Sequence, residues 1–265
     1  MPDFEDGFIA IDDVRLEYHR IGNNIRNSPT LVFLHEGLGS VSMWRNFPEQ
    51  LSKNTGLNAF LYSRQSYGKS SALPLPRDTH YMHGEASEVL PKVLEAADIA
   101  YPIFVGHSDG ASIAIIHAGS ARLPQSAALV LMAPHVFNED LCVKTIRAIK
   151  QAYEHSDLRE RLSPFHDDVD NAFWRWNDIW LDDDFKNWNI EEYLPAISAP
   201  VLHIQGKNDK YGTEAQIDAI QAQCAGPVDV LMLDNCGHSP FRDQTKATLE
   251  GISSFIEQYD LSQTN

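Results

Sequence analysis

The segment Phe104–Ser112, "FVGHSDGAS", decides how the chain folds, because an apolar run ends in it and a helical pattern begins in it. The run before it has the length and composition of a buried strand. Ser108 lies between glycines two positions before and two positions after it. A serine at so sharp a strand-to-helix turn is held in a strained backbone conformation that exposes its hydroxyl. The pattern predicts a nucleophile at Ser108; the alternative is an ordinary helix N-cap.

Strands and helices alternate along most of the chain. The predicted strands are the hairpin "GFIAI" and "VRLEYHRI", then "TLVFLH", "LNAFLYS", "YPIFVG", "AALVLMAP", "APVLHIQG" and "VDVLML". Most of these runs are apolar on both faces, and helical patterns separate them. This order predicts an α/β fold with a mostly parallel eight-stranded sheet and helices on both faces.

Residues 135–194 interrupt the alternation, because they are helical in pattern and contain no run typical of a strand. Four of the five tryptophans lie here: Trp174, Trp176, Trp180 and Trp188. We predict a helical cap inserted into a core formed by residues 1–134 and 195–265. A separate helical bundle is the alternative, although about sixty residues bury only a small core of their own.

A base and an acid follow the last two predicted strands. A serine hydroxyl needs a base within hydrogen-bonding distance, and His238 follows the final strand. A carboxylate must then fix the histidine tautomer, and Asp209 follows the preceding strand. In a parallel sheet these positions share the carboxyl edge with Ser108. Glu139 or Asp140, after "AALVLMAP", are the alternative acids.

The oxyanion formed during attack on a carbonyl needs backbone N–H donors. One donor is expected from Asp109, directly after the nucleophile, and the other from the loop "FLHEGLGSVSMW". There the N–H of Gly37 is the candidate and that of Glu36 the alternative. A dinucleotide-binding loop is excluded, because the third glycine position is Ser42.

The order Ser108, Asp209, His238, with a helical insertion, resembles the α/β-hydrolase superfamily over about residues 7–258. The loop "HEGLGSVSMW" is similar to the family's His-Gly oxyanion loop, but Glu36 replaces the usual glycine. The loop "YSRQSYGKSS" is similar to the pattern Asp-x-x-Gly-x-Gly-x-Ser, with serine in place of the aspartate (Ser63) and of one glycine (Ser66). We expect Glu36 to pair with Arg64.

The resemblance implies an α/β-hydrolase fold and a serine hydrolase that attacks a carbonyl through Ser108. An acyl-enzyme would form and be hydrolysed by water that His238 activates. Carboxylic esters of small to medium size are the expected substrates. Hydrolysis of a lactone or of a carbon–carbon bond is the alternative reaction, and a non-catalytic binding protein is the alternative from another class. No cofactor is expected.

Several side chains are candidates for contact with the substrate. Aromatic residues of the insertion would form an apolar roof, or would simply attach the insertion to the core: Phe173, Trp174, Trp176 and Trp180. Glu36 would lie beside them. The Asp109 carboxylate would bind a cationic group of the substrate, or would serve only the N-terminus of its helix.

Composition limits the partners and the compartment. Lys and Arg number 21 against 37 Asp and Glu, a formal net charge of −16, which disfavours nucleic acid and anionic membranes. The N-terminal sequence has no signal peptide pattern, and no apolar run is long enough to span a membrane. The cysteines are odd in number and widely spaced, which favours reduced thiols over a disulfide framework: Cys142, Cys224 and Cys236. We expect a cytoplasmic protein with no metal site that acts on a small-molecule ester.

Overall fold

The computed structural model describes residues 4–23, 26–75, 78–120 and 127–263, and these contain one sheet of eight strands. The outermost predicted domain limits, 1 and 265, lie outside the described residues. The strands are β1 (Phe4–Ile11), β2 (Val14–Ile21), β3 (Thr30–Leu34), β4 (Asn58–Tyr62), β5 (Pro102–His107), β6 (Ala128–Met132), β7 (Val201–Gly206) and β8 (Val228–Leu233). Their order across the sheet is β1-β2-β4-β3-β5-β6-β7-β8.

The sheet is mostly parallel, which confirms the fold class predicted from the sequence. β2 pairs with β1 and β4 in antiparallel orientation, and the remaining neighbours pair in parallel. The register aligns strand ends: Leu34 pairs with Gly106, and His107 pairs with Met132. The loops that follow β3, β5, β7 and β8 therefore leave the sheet along one edge.

Helices cover both faces of the sheet. They are α1 (Phe47–Thr55), α2 (Tyr81–Gly84), α3 (Leu90–Ala96), α4 (Asp109–Gly119), α5 (Asp140–His155), α6 (Leu158–Leu162), α7 (Val169–Trp180), α8 (Glu214–Gln223), α9 (Pro240–Asp243) and α10 (Thr245–Gln258). A π-helical turn, Glu85–Val89, joins α2 to α3. Short 3₁₀ segments lie at Val41–Trp44, Ser163–Phe165, Asp184–Asn187 and Glu191–Ala196.

The alternation of side chains along the buried strands produces two apolar layers. In β3, Leu31 and Phe33 pack in the layer that contains α1 and α10. Val32 and Leu34 pack in the opposite layer, with α3 and α4. All five residues of this strand are buried, which explains why the four that follow Thr30 are apolar without a break instead of alternating.

The segment between β6 and β7 is helical, with α5, α6 and α7 as its main elements. Its β-structure is limited to an isolated bridge between Phe137 and Asn189. The apolar side chains of α5 and α7 belong to the same cluster as α4 and the neighbouring strands. The segment therefore shares the core of the sheet domain and does not build one of its own.

Candidate active site

Ser108 lies at the turn between β5 and α4, with φ 51° and ψ −118°. Two glycines make this turn possible. A Cβ on Gly106 would lie 2.5 Å from the Cα of Ala111, and a Cβ on Gly110 would lie 2.0 Å from the carbonyl oxygen of Leu34. The Ser108 side chain makes no capping hydrogen bond to α4, so the N-cap alternative does not describe this serine.

Ser108, His238 and Asp209 form one hydrogen-bonded line above the carboxyl edge of the sheet. His238 Nε2 lies 2.9 Å from Ser108 Oγ and accepts a hydrogen bond from the serine hydroxyl. His238 Nδ1 donates to Asp209 Oδ2 at 2.8 Å, which fixes the tautomer. The Asp209 side chain is only 2% exposed. The alternative acid Glu139 instead accepts hydrogen bonds from Thr213 and Gln216.

Asp209 is held from several sides. Gln205 donates its Nε2 to Asp209 Oδ2 at 2.7 Å, and the backbone N–H of Tyr211 donates to Oδ1 at 2.8 Å. Burial would raise the pKa of Asp209, but the hydrogen bond and charge of His238 outweigh it and lower the pKa. The acid is therefore held ionised.

Gln205 and His203 form a polar line inside β7 that the sequence reasoning did not connect with the site. His203 Nε2 lies 3.3 Å from Gln205 Oε1, so the histidine donates to the amide that holds the acid. Burial lowers the pKa of His203 to about 4, which keeps its imidazole neutral. The signal in the sequence was two polar residues, alternating with apolar ones, in a strand that is otherwise buried.

The loop after β3 is fixed through the carbonyl of Glu36. This oxygen accepts from His35 Nδ1 at 2.7 Å, Arg64 Nη2 at 2.9 Å and the Gly39 N–H at 3.1 Å. In a trans peptide the N–H of the next residue points in the opposite direction. The N–H of Gly37 consequently points away from Arg64, and Gly37 lines the same cavity as Ser108.

A second set of contacts replaces the aspartate that the family pattern places at residue 63. Ser63 Oγ accepts from the Val41 N–H at 2.9 Å and donates to Glu17 Oε2 at 2.8 Å. The N–H of Lys69 also donates to Glu17 at 3.0 Å. A carboxylate from β2 thus supports the loop where the family pattern would supply one from the loop itself.

The expected Glu36–Arg64 ion pair is wrong. The Glu36 carboxylate accepts from His107 Nδ1 at 3.2 Å, whereas Arg64 donates to backbone carbonyls of the loop. Pairing of Leu34 with Gly106 explains this, because it brings the residues that follow β3 next to the end of β5. Burial would raise the pKa of Glu36, but the hydrogen bond and charge of His107 lower it overall.

A cavity of about 310 Å³ opens beside Ser108. Its apolar wall comes from residues 135–194 and consists mainly of Ile146, Ile149, Leu158, Leu162, Trp176 and Trp180. Glu36 also lines the cavity, near the nucleophile.

Of the four predicted roof residues, the structure brings two to the cavity. Trp176 and Trp180 are four positions apart on α7 and so share a face. Trp176 also lies against the oxyanion loop, since a Cβ on Gly37 would be 2.1 Å from its Cδ1. Phe173 stacks on Tyr153 with 3.6 Å between ring centroids. The Lys150 ammonium lies over the ring of Trp174, 5.2 Å from its centroid. These last two lie outside the cavity lining.

Two uncharged side chains that the sequence reasoning missed flank the base. The Tyr211 ring lies 4.3 Å from that of His238, and burial raises the pKa of its hydroxyl to about 12. The His135 ring lies 5.6 Å from that of His238 and 5.3 Å from Trp180. Burial and the charge of His238 lower the pKa of His135 to about 3, so it stays neutral. Both surround His238 without competing for its proton.

The Asp109 carboxylate has a partner in the protein interior. It is 1% exposed and accepts a hydrogen bond from the Tyr81 hydroxyl. This contact favours a structural role for the carboxylate over the binding of a cationic substrate group. The backbone of Asp109 begins α4 directly after Ser108, where its N–H belongs to the first turn.

The described part of the chain contains no group of three or more His, Cys, Asp or Glu side chains arranged to hold a metal ion. The cysteines Cys142, Cys224 and Cys236 are all free thiols. None of the described helices is both long enough and apolar enough to cross a membrane.

Comparison with known proteins supports the fold described above. Residues 31–250 match the model of the alpha/beta hydrolase family. No curated protein matches the chain. A putative lipase from Acinetobacter baumannii AYE is a similar solved structure, with 19% identity and a TM-score of 0.78, covering 98% of this chain and 93% of that one.

Two further solved structures have the same fold. One, from work on carboxylesterases of Nitrososphaera gargenis, has 15% identity and a TM-score of 0.77, covering 96% of this chain and 99% of that one. The other is an enol-lactonase from Burkholderia xenovorans LB400, with 20% identity and a TM-score of 0.73, covering 95% of this chain and 100% of that one. At these identities the likeness concerns the fold.

Proposed function

Because the chain belongs to the alpha/beta hydrolase family, we propose that it is a serine hydrolase that cleaves carboxylic esters of small to medium size. One observation carries the proposal: His238 Nε2 lies 2.9 Å from Ser108 Oγ while its Nδ1 lies 2.8 Å from Asp209. A nucleophile, a base and an acid in this order can activate a hydroxyl for attack on a carbonyl.

In the proposed reaction, Ser108 Oγ attacks the ester carbonyl while its proton passes to His238 Nε2. Asp209 stabilises the imidazolium that results. The N–H groups of Gly37 and Asp109 receive the oxyanion, and the loss of one such donor typically lowers turnover by about 10²–10³-fold. His238 returns the proton to the leaving alcohol, which leaves an acyl-enzyme. Water, deprotonated by His238, then releases the acid and restores Ser108.

The cavity supports an uncharged substrate of modest size. Its volume of about 310 Å³ is at the lower end of ligand sites, and the wall contributed by residues 135–194 is apolar. Among the described residues that line the cavity, Arg242 is the sole Lys or Arg, and it is exposed and donates to Ser239. An acidic substrate would find no buried Lys or Arg side chain among these lining residues, which favours neutral esters over acidic products of carbon–carbon ring cleavage.

The test is a panel of p-nitrophenyl esters of increasing chain length, together with a fluorophosphonate probe, on the wild type and Ser108→Ala. We expect short and medium esters to be cleaved, and the probe to label Ser108. Ser108→Ala should lose both properties. Equal turnover by the two proteins, or labelling of another residue, would show that the proposal is wrong.

The same panel, extended by lactones and acidic carbon–carbon bond substrates, separates the alternatives. A lactone or an acidic carbon–carbon bond substrate that is cleaved far faster than every ester, with the same dependence on Ser108, would change the substrate class and keep the mechanism. A protein that binds ligand equally well with and without the Ser108 hydroxyl, and turns over none of the esters, would be a binding protein.

We further propose that the protein works in the cytoplasm on a small molecule. Three free cysteines, two of them buried, suit a reducing compartment. The formal net charge of −16 opposes association with nucleic acid or anionic lipid. Cell fractionation followed by detection of fluorophosphonate-labelled protein checks the location.

A further inference from the structure

Both ring nitrogens of His107 face oxygen acceptors. Nδ1 lies 3.2 Å from Glu36 Oε2, and Nε2 lies 2.7 Å from the backbone carbonyl oxygen of His238. The His107 side chain is 1% exposed, and its remaining neighbours include the rings of Trp44 and Phe241. His107 thus links the loop after β3, the end of β5 and the loop that carries His238.

The two hydrogen bonds indicate which protonation state of His107 this linkage needs. A neutral imidazole has one N–H and one lone pair, so one of its nitrogens would direct a lone pair at an oxygen. Only the imidazolium donates to both oxygens. A buried imidazolium needs a counter-charge, and the Glu36 carboxylate is in contact with it. Glycine, which the family pattern has at this position, offers no such charge.

We propose that Glu36 is a positioning residue for the base: its carboxylate holds His107 as an imidazolium, and His107 holds the carbonyl of His238. Glu36 affects the reaction through the position of His238. His238 is placed 2.9 Å from Ser108 Oγ by a loop whose backbone is tied to His107 at the same residue. The inference rests on the proposed function, since turnover is one of its readouts.

The experiment is a double-mutant cycle with Glu36→Ala, His107→Leu and the double variant, measured with p-nitrophenyl butyrate. We expect each single change to lower kcat and kcat/KM together by about 10–100-fold, because a misplacement of about 1 Å can cost about 100-fold. The activity of the double variant should be no lower than that of the less active single variant, because both changes break one linkage.

Two further variants separate positioning from other effects. Glu36→Gln keeps a hydrogen-bonding side chain opposite His107 but removes the counter-charge, so we expect it to recover little of the activity that Glu36→Ala loses. Asp6→Ala removes the partner of another imidazole, since Asp6 Oδ1 lies 2.7 Å from His19 Nδ1 at the far edge of the sheet. This matched control should leave kcat unchanged.

A readout that does not need turnover is nitrogen NMR of histidine-labelled wild type at pH 7, with His107→Leu used for assignment. Protons on both ring nitrogens of His107 support the proposal, and a neutral ring overturns it. A raised KM at constant kcat in Glu36→Ala also overturns it, because Glu36 would then contact the substrate. So do additive losses in the cycle. Wild-type turnover in Glu36→Ala, with Ser108→Ala inactive, refutes the positioning role and leaves the proposed function standing.

Discussion

Gln205 and Asp209 are joined by a hydrogen bond of 2.7 Å, from the amide at the end of β7 to the carboxylate in the loop that follows. Asp209 in turn contacts His238 at 2.8 Å, so the orientation of the base is set from inside the sheet. Gln205 is 3% exposed and His203 behind it is fully buried. The acid therefore depends on two residues that never reach the cavity.

Replacing Gln205 by Leu should lower kcat by about 10–100-fold, because Asp209 would lose a donor that fixes its carboxylate. Losses of this size follow when the hydrogen-bond partners that orient metal ligands are removed. Steady-state kinetics on an ester substrate measures this. The matched control is Gln216→Leu, which removes another buried glutamine, whose partners are Val136, Phe137 and Glu139. That variant should lose stability and keep kcat; equal losses of kcat in both would contradict the assignment.

Gly37→Ala should reduce kcat/KM by about 10–100-fold, because the new methyl group would displace Trp176 or the oxyanion loop itself. The Cβ would lie 2.1 Å from Trp176 Cδ1. In a Trp176→Ala background the same change should cost much less. Gly84→Ala serves as the control, since nothing lies within 4 Å of its Cβ. If Gly37→Ala costs as much without the tryptophan, the contact is not the cause.

Ile146→Ala should shift the preferred ester chain to a longer one, because Ile146 lies in the apolar wall of the cavity. A panel of p-nitrophenyl esters measures the shift as the ratio of kcat/KM for long and short chains. Ile179→Ala is the matched control: both isoleucines are buried in the same segment, at 1% and 5% exposure, but Ile179 lies outside the cavity lining. An identical ratio in wild type and Ile146→Ala would contradict the proposed binding mode.

Acid should destabilise the protein partly through His203. Its folded pKa is about 4, below the usual value of about 6.5, so the unfolded chain binds more protons between these values. Its contribution to stability is therefore complete above pH 6.5 and is lost as the pH falls toward 4. Between pH 7 and 5 the loss is about 2 kcal/mol. Urea unfolding measures the free energy of unfolding at both pH values, and its difference between pH 7 and pH 5 should be smaller by about that amount in His203→Leu than in the wild type. An equal difference in the two proteins would contradict the linkage.

The residues that follow predicted strands were placed correctly at one edge because parallel strands end together. Ser108, Asp209 and His238 could therefore be grouped before any coordinate was known. Their catalytic roles stay predictions, although the distances support them. The strand order was not available from the pattern, and it decides which side chains meet.

The incorrect partner predicted for Glu36 shows the effect of not knowing the strand order. Arg64 lies in the loop after β4, the next strand along the chain, whereas His107 is the last residue of β5, the other neighbour of β3. The roof residues show a different limit. Phe173 and Trp174 are as aromatic as Trp176 and Trp180, and only the packing of α7 against α5 separates those that contact Tyr153 from those that face the cavity.

The register that aligns the strand ends has a consequence for folding studies. Ser108 and His238 are separated by 130 positions in sequence, yet they touch only when β8 has joined the sheet. A chain that stops before this last strand lacks the base entirely. Recovery of hydrolase activity after dilution from denaturant would consequently mark the completion of the whole sheet, whereas recovery of helical circular dichroism would mark earlier, local steps.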